Sequence, residues 1–352
     1  MRNPGDGLSV TLDCLRAVSA QAVCVGHALS FYGITKGITL PLMQNVAVIV
    51  FFVLSGFLIG GLLIDRAGDK NYHLSTYLID RFARIYSAYV PALILISVID
   101  VCLVISVLHD YPQYVTASSF MKNVFMGQMY VGPLKQMIST NNFGSAGPLW
   151  TLAIEFHIYI FVGALFFVRK QPFLAGAVAV VFAWLPMHYL VWDVQPGLGT
   201  GLFSVWLCGL AIAAFGTHRI PAGVGLCIMV AGGLSIFATA SKGAEYNPLA
   251  YAGVCVFLVG LISTSSAVRW GGAPRSAVSL FAGYSLSLYL VHYTIIYALT
   301  KVSPVGGLAG AAIGVIVSNV TACILASATE IHHKRLGAWI KLLRAHSSNV
   351  RA

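Results

Sequence analysis

The segment Leu12–Gly33 reads LDCLRAVSAQAVCVGHALSFYG, and it decides the fold class of the chain. It is long and apolar enough to cross a bilayer as a helix, yet it carries Asp13, Arg16 and His27. Helical geometry places Arg16 and His27 on one face, roughly 16 Å apart. Ionisable groups in a membrane segment usually face a protein interior or a water-filled cavity. The alternative is that Arg16 only extends to the headgroups and His27 only bonds a neighbouring helix, but the pair in register favours a functional site.

The composition is that of an integral membrane protein. Of the 352 residues, 58% are hydrophobic and 9% are charged, against roughly 25% charged in a soluble domain. The net charge of +10 does not indicate a nucleic-acid partner, because the cations lie in short loops and form no dense basic patch with interleaved aromatic residues. The seven cysteines fall in apolar runs without metal-ligand spacing, so we expect no disulfide framework and no metal site.

Apolar runs of about 17 to 25 residues predict an all-α membrane protein with about ten transmembrane helices. The N-terminal residues 1–11 lack the pattern of a cleavable signal peptide, so we expect the first span to remain in the protein. The predicted spans are 12–33, 44–64, 85–108, 148–168, 173–192, 201–216, 222–240, 248–265, 277–299 and 305–328.

The distribution of lysine and arginine predicts the orientation. With both termini in the cytoplasm, 16 of the 21 basic residues lie on the inner side, as the positive-inside rule requires. The predicted organisation is a single transmembrane domain over residues 1–330 and a basic cytoplasmic tail over 331–352. The long outer connection 109–147 is rich in aromatic residues, which is compatible with a substrate lid and equally with a loop that caps the bundle.

The predicted orientation places three titratable side chains of different spans in one layer, roughly 9 to 11 Å below the outer surface: His27, Glu155 and His292. A neutral histidine held by a carboxylate can take a proton from a hydroxyl, because its pKa of about 6.5 lies near neutral pH. Glu155 is the first candidate for that carboxylate, and Asp100 is the alternative.

The arginines of the first and third spans are predicted at the cytoplasmic level. Arg81 and Arg84 are three residues apart, so both guanidinium groups lie on one side of a helix. Together with Arg16 they predict a site for an anion. Guanidinium groups suit phosphates because their fixed fork of donors matches the phosphate oxygens.

Five blocks of this sequence resemble, in order, the motifs of acyltransferase family 3, the multi-pass bacterial membrane O-acyltransferases of surface glycans. Arg16 and His27 stand in the first block, Ser55 in the second, Arg81 and Arg84 in the third. The blocks are LDCLRAVSAQAVCVGH from residue 12, FFVLSGFLI (51–59), RFAR (81–84), LWTLAIEFHIYI (149–160) and SLSLYLVH (285–292).

The resemblance implies a donor, acyl-CoA and usually acetyl-CoA, that approaches from the cytoplasm, and an acceptor hydroxyl on a glycan or lipid-linked saccharide. It implies a multi-pass protein of the bacterial inner membrane in which Arg16 and His27 are required and Arg81 and Arg84 lie near the donor. The chain departs from the family at Cys14, where a glycine is usual, and at Phe156, where a second glutamate is frequent. No esterase-type domain is expected after the last span.

The hypothesis is therefore a membrane O-acyltransferase with His27 and Glu155 as catalytic residues and the three arginines on the donor phosphates. His27 either accepts the acceptor's proton in direct transfer or is itself transiently acylated. Weaker candidates for substrate binding are Ser55, Trp150, Tyr289 and His292.

Two alternatives stay open. Ser55 and Gly56 either approach the thioester or only pack against another helix, and packing is slightly favoured. A transporter or flippase for an anionic or glycan substrate would also need buried charge, but matching broken helices in two halves are not visible. The acyl chain length, the acceptor and a homo-oligomeric state are not decided by the sequence.

Overall fold

The computed structural model describes residues 6–106, 115–190, 199–216, 220–240, 245–265 and 267–349. Every regular element in these ranges is helical, apart from one isolated bridge between Gln128 and Thr140. A short 3₁₀ turn, Glu330–His332, precedes the last helix. The α-helices are α1 (Asp6–Phe31), α2 (Met43–Arg66), α3 (Leu74–Ser106), α4 (Ala117–Val124), α5 (Lys135–Ile138), α6 (Leu149–Phe167), α7 (Pro172–Phe182), α8 (Trp184–His188), α9 (Leu202–Phe215), α10 (Ala222–Thr239), α11 (Pro248–Ser265), α12 (Gly272–Gly283), α13 (Ser285–Val302), α14 (Gly307–Ala328) and α15 (His333–Asn349).

The predicted all-α membrane fold is confirmed. Seven helices in the described ranges are long and apolar enough to cross a bilayer, and α12 with α13 makes an eighth if that broken pair is one span. The predicted fifth and sixth spans correspond to α7 and α9, which are apolar but shorter than a full span. The count of ten and the positions of the termini stay predictions.

The chain divides into two compact units. Unit one comprises residues 1–68 and 186–285, and unit two comprises residues 69–185 and 286–352. Both units are discontinuous in sequence, so each joins helices that are distant along the chain.

Unit one packs its helices through small residues. A Cβ atom at Gly56 of α2 would overlap the carbonyl of Trp206, and one at Gly209 of α9 would overlap the carbonyl of Val53. The Trp206 indole donates to Ser55 Oγ over 3.1 Å in the same contact. Close backbone approach at small residues is how membrane helices gain packing energy, because lipid supplies no hydrophobic drive between them. The packing interpretation therefore accounts for Gly56.

A buried carboxylate holds the start of α2 in unit one. Glu245 is fully buried, and its two oxygens accept from the Leu42 amide at 2.8 Å and from Asn45 Nδ2 at 3.0 Å. The first amides of a helix lack partners within the helix, and a carboxylate at this end is favoured by the helix dipole.

In unit two, α3 begins well before the predicted third span of 85–108. Its first two turns bury Leu74 and Tyr77, and the Tyr77 hydroxyl donates to the Tyr159 carbonyl of α6 over 3.1 Å. Because these apolar side chains are buried, the helix extends from residue 85 back to Leu74. As a result, Arg81 and Arg84 lie within α3 rather than in a loop.

The described part of the long connection, residues 115–147, folds onto α3 of unit two. The Tyr89 hydroxyl donates to the Asn123 carbonyl over 2.7 Å, and the Asn123 side-chain oxygen accepts from Gln128 Nε2 at 2.7 Å and from the Phe143 amide at 3.1 Å. These groups are buried and hydrogen-bonded, as buried polar groups generally are. The segment 115–147 is folded against α3, and its role as a capping loop or a substrate lid stays a prediction. Residues 109–114 of the predicted connection lie outside the described ranges.

Candidate functional site

A basic pocket of about 370 Å³ lies in unit two between α3 and the start of α15. The two helices approach closely here because Gly337 faces Ala83, whose Cβ would lie 3.4 Å from a Cβ at position 337. The pocket is lined by Asp80, Arg81, Ala83, Arg84, His333, Lys334 and Gly337. The structure therefore places both predicted arginines in one cavity and adds two basic residues from the tail.

The cations of this basic pocket are not neutralised by its one lining acid. Asp80 forms an ion pair with Lys341, which lies outside the lining, at 2.5 Å between Oδ1 and Nζ. Arg81 lies with its Cζ 6.0 Å from the ring centroid of Tyr77, and its buried Nε has no hydrogen-bond partner among the described residues. An anion in the pocket would supply a partner and offset the charge.

Arg84 forms an ion pair with a buried carboxylate. Its Nη1 lies 3.2 Å from Glu330 Oε1; the Arg84 side chain is 29% exposed and that of Glu330 is fully buried. Glu330 Oε2 also accepts from the Ser287 amide at 3.0 Å and from the Ser287 hydroxyl at 2.8 Å. The carboxylate is thus held by Ser287 and forms an ion pair with Arg84, which restricts the positions that the guanidinium can take.

A second polar group in unit two joins the fourth and fifth sequence blocks. The Tyr289 hydroxyl hydrogen-bonds Thr151 Oγ1 and lies 3.3 Å from the Pro148 carbonyl. Glu155 is half-buried, accepts from the Tyr159 hydroxyl at 2.5 Å, and is within electrostatic range of Tyr289. The fold thus brings the predicted Glu155 and Tyr289 into one region.

The other candidates of these two blocks are less open. Trp150 is half-buried at the start of α6. His292 is fully buried, and its Nδ1 lies 2.9 Å from the Leu288 carbonyl one turn back in α13. Its ring centroid is 6.0 Å from that of Tyr289. A donor role to Leu288 fixes the ring and leaves Nε2 as the acceptor in the neutral tautomer.

Asp100, the alternative partner predicted for His27, is engaged within unit two. Its Oδ2 accepts from the Ser145 amide at 2.9 Å and its Oδ1 from the Ser145 hydroxyl at 2.7 Å. Gly144 adopts a φ of +48°, and a Cβ there would overlap the Asp100 carboxylate. Asp100 is therefore buried because the segment 115–147 is hydrogen-bonded to it through Ser145.

In unit one, Arg16 and His27 lie on the continuous helix α1, so their predicted spacing along one helix is confirmed. Both side chains are half-buried. Arg16 Nη1 lies 2.9 Å from Asp13 Oδ1, one turn earlier, and the His27 ring centroid is 6.5 Å from that of Phe31. His27 and Glu155 belong to different units, and the catalytic pairing of these two residues stays a prediction.

Comparison with known proteins identifies the family. Residues 10–328 match the model of an acyltransferase domain, Acyl_transf_3. The chain belongs to acyltransferase family 3. The match covers nearly the whole chain, so the predicted family is confirmed. This result favours an enzyme over the transporter that the sequence left open.

More distant comparisons add little. Over 94 residues, which are 27% of this chain and 47% of the relative, the chain is 33% identical to "Protein 2 in picA locus" of Rhizobium radiobacter. The chain thus spans about half the length of this curated relative. No solved structure matches the chain.

The sequence did not predict Glu330, His333 and Lys334 as parts of the candidate site. His333 and Lys334 fall in the predicted basic tail 331–352, but the structure places both in the lining of the basic pocket, with His333 half-buried. Glu330 carried a signal: it is a lone acid directly after the apolar run of α14 and before a cluster of basic residues. A charge at that position is costly without a partner, which predicts one.

Proposed function

We propose that the protein is an O-acyltransferase that moves an acyl group, most simply acetyl, from cytoplasmic acyl-CoA to a hydroxyl of a cell-surface or exported glycan. The membership in acyltransferase family 3 supports the reaction class. The observation that carries the proposed donor is the basic pocket, which concentrates Arg81, Arg84 and Lys334 around a cavity of about 370 Å³.

The chemistry of the basic pocket suits coenzyme A. The cofactor carries a 3′-phosphate and a pyrophosphate, and guanidinium groups bind phosphate through two parallel hydrogen bonds. The volume falls in the usual range of roughly 300 to 1,000 Å³ for ligand pockets. It fits the phosphorylated nucleotide end of CoA, from which the pantetheine arm extends to carry the thioester elsewhere.

The proposed acid–base chemistry belongs to α1. His27 accepts the proton of the acceptor hydroxyl, whose oxygen attacks the thioester carbonyl; the C–S bond breaks and the CoA sulfur leaves as the thiolate, which takes up the proton from His27. In the second route the imidazole of His27 attacks the thioester carbonyl, the C–S bond breaks and CoA leaves as the thiolate. The acceptor hydroxyl then attacks the acyl-imidazole, the N–acyl bond breaks to free His27, and the hydroxyl proton passes through the imidazole to the thiolate. Arg16 and Glu155 keep their proposed roles at the donor and at His27.

The proposed acceptor residues are Trp150, Tyr289, His292 and Ser55. The half-buried Trp150 ring offers an apolar face of the kind on which sugar rings pack, whereas the other three are mainly buried and would act by shaping the site. The proposed location is the bacterial inner membrane, with the basic pocket on the cytoplasmic side, and self-association is left open.

Transfer of label from [¹⁴C]acetyl-CoA in membranes tests this proposal. Membranes with the wild-type protein should label the glycan fraction, and mass spectrometry should show one acetyl mass per modified sugar. The double variant Arg81→Ala/Arg84→Ala should need a higher acetyl-CoA concentration, because two phosphate contacts of about 1.5 to 3 kcal/mol each are lost. Arg335→Ala, an exposed arginine of α15 outside the pocket lining, is the matched control.

Two outcomes would contradict the proposal. Unlabelled glycan in the presence of folded wild-type protein would exclude acetyl-CoA as the donor. An unchanged acetyl-CoA requirement in the double variant would exclude the basic pocket as the donor site.

A further inference from the structure

The segment Glu330–Lys334 lies beyond residue 328, where the match to the family model ends, yet it reaches the basic pocket. His333 and Lys334 line the cavity, and Glu330 contacts Arg84 directly. The part of the site that belongs to the family motif, Arg81 and Arg84, is therefore only one wall. The opposite wall comes from residues at the start of α15.

The position of α15 is fixed by contacts with α3 at the pocket and along the following turns of α15. Lys341 pairs with Asp80, and Arg344 donates to the Ser75 hydroxyl. Gly337 permits close approach to Ala83. These contacts hold the N-terminal turn of α15 at the cavity, whose lining includes the exposed Lys334.

The charge distribution indicates an anionic ligand. The acid in the lining, Asp80, is paired with Lys341 outside it, so it does not neutralise Lys334. Glu330 is fully buried and pairs with Arg84, at 3.2 Å between Oε1 and Nη1. The N-terminus of α15 adds the partial positive charge of a helix end to the same wall.

Glu330 links two helices of unit two through its two oxygens. One oxygen contacts Arg84 of α3, and the other accepts both hydrogen bonds from Ser287 in the first turn of α13. First-turn amides have no partner in their own helix, so this acceptor also satisfies the start of α13. The orientation of Arg84 therefore depends on a carboxylate that is itself held in place by α13.

We propose that the segment Glu330–Lys334 completes the donor site: Lys334 binds a phosphate of CoA, and Glu330 is a positioning residue that aims Arg84 at the same ligand. This rests on the proposed acyl-CoA donor. It adds a chain segment outside the family domain to the binding site.

The binding experiment uses the purified full-length protein in nanodiscs with two probes, CoA and 3′-dephospho-CoA. Lys334→Ala should weaken CoA binding about tenfold, the loss expected for one charge-assisted contact. Arg335→Ala removes the same charge one residue away, outside the lining, and should change the affinity less than twofold. A loss with CoA alone assigns Lys334 to the 3′-phosphate, and a loss with both probes assigns it to the pyrophosphate.

The positioning role is tested by Glu330→Gln, which keeps an acceptor for Ser287 but removes the negative charge that pairs with Arg84. The KM for acetyl-CoA should rise about tenfold while kcat changes less than threefold, because Arg84 contacts the donor phosphates in both ground and transition states. A purely structural role would instead lower the amount of folded, active protein with KM unchanged. The thermal unfolding midpoint of the variant is measured alongside.

The outcomes separate this inference from the proposed function. If wild-type protein binds CoA and Arg81→Ala weakens it, but Lys334→Ala does not, the inference is overturned and the donor site stands. An equal effect of Arg335→Ala and Lys334→Ala would overturn it too, because the loss of affinity would then follow from net charge and not from a contact in the pocket. If the wild-type protein binds neither probe, the acyl-CoA donor itself is wrong. Should Glu330→Gln fail to fold, Lys334→Ala decides.

Discussion

The basic pocket of unit two and the charged face of α1 in unit one place arginines in apolar surroundings by different means. Arg84 is paired with Glu330, which is fully buried and 246 residues away along the chain. Arg16 is paired with Asp13, one helical turn away, and both side chains are partly exposed, at 27% and 39%. A local pair can form in an isolated helix, whereas the Arg84 pair exists only when α3, α13 and the tail have assembled. The first is a feature of the helix and the second is a feature of the fold.

The largest effect is expected at His27. His27→Ala should lower the rate of acyl transfer by about 10² to 10⁴, the contribution of a general base, or abolish it if His27 is acylated. His73→Ala, which removes an exposed histidine just before α3, is the matched control. The measurement is labelled acetyl transfer at saturating acetyl-CoA, normalised to inserted protein. Retained transfer in His27→Ala would remove α1 from the chemistry and leave only its packing role.

The difference between the two ion pairs predicts a difference in stability. Glu330→Ala should lower the free energy of unfolding by about 3 to 5 kcal/mol, because Arg84 and the Ser287 amide are left without their buried acceptor. Asp13→Ala should cost at most about 1 kcal/mol, the usual contribution of a partly exposed pair. Thermal unfolding in detergent, followed by circular dichroism, compares the two variants.

Equal destabilisation by these two variants would show that the two ion pairs do not differ in their contribution to stability. It would mean that the Asp13–Arg16 pair is buried against another helix, or that Glu330 is reached by water. The double variant Arg84→Ala/Glu330→Ala refines the result, since removing both partners should recover part of the stability lost by Glu330→Ala alone.

The sequence predicted what helix geometry determines. The spacing of Arg16 and His27 on α1, and of Arg81 and Arg84 on α3, follows from the helical repeat and needs no knowledge of neighbours. The apolar runs gave the membrane fold, although α7 and α9 are too short to be counted as spans from their length alone. These results depend on contacts within a few turns of one helix.

The parts that the sequence could not give are contacts between distant segments. The pairing of Asp80 with Lys341 offsets the negative charge of Asp80 at the pocket. It joins residues 261 positions apart, and no sequence pattern predicts it. The hydrogen bonds from Ser145 to Asp100 likewise depend on how the segment 115–147 packs against α3. Depth alone does not tell which helices are neighbours, so the choice between Glu155 and Asp100 as the partner of His27 stays a prediction.

The smallest effect is expected at Lys341. Lys341→Ala should change the unfolding free energy by no more than about 1 kcal/mol, because both partners of the pair are partly exposed. It should nevertheless weaken CoA binding by roughly two- to fivefold, since Asp80 then places an uncompensated negative charge at the pocket. Titration with CoA at two salt concentrations checks this, and the deficit should shrink at high salt. An affinity equal to wild type would show that Asp80 does not act on the ligand.

The central claim is that the phosphates of the acyl donor bind between α3 and the start of α15. A cryo-electron microscopy structure of the protein in nanodiscs with CoA tests it most directly. We expect phosphate density within hydrogen-bond distance of Arg81, Arg84 and Lys334, with Glu330 still paired with Arg84. CoA density elsewhere, with this pocket holding only solvent, would contradict it.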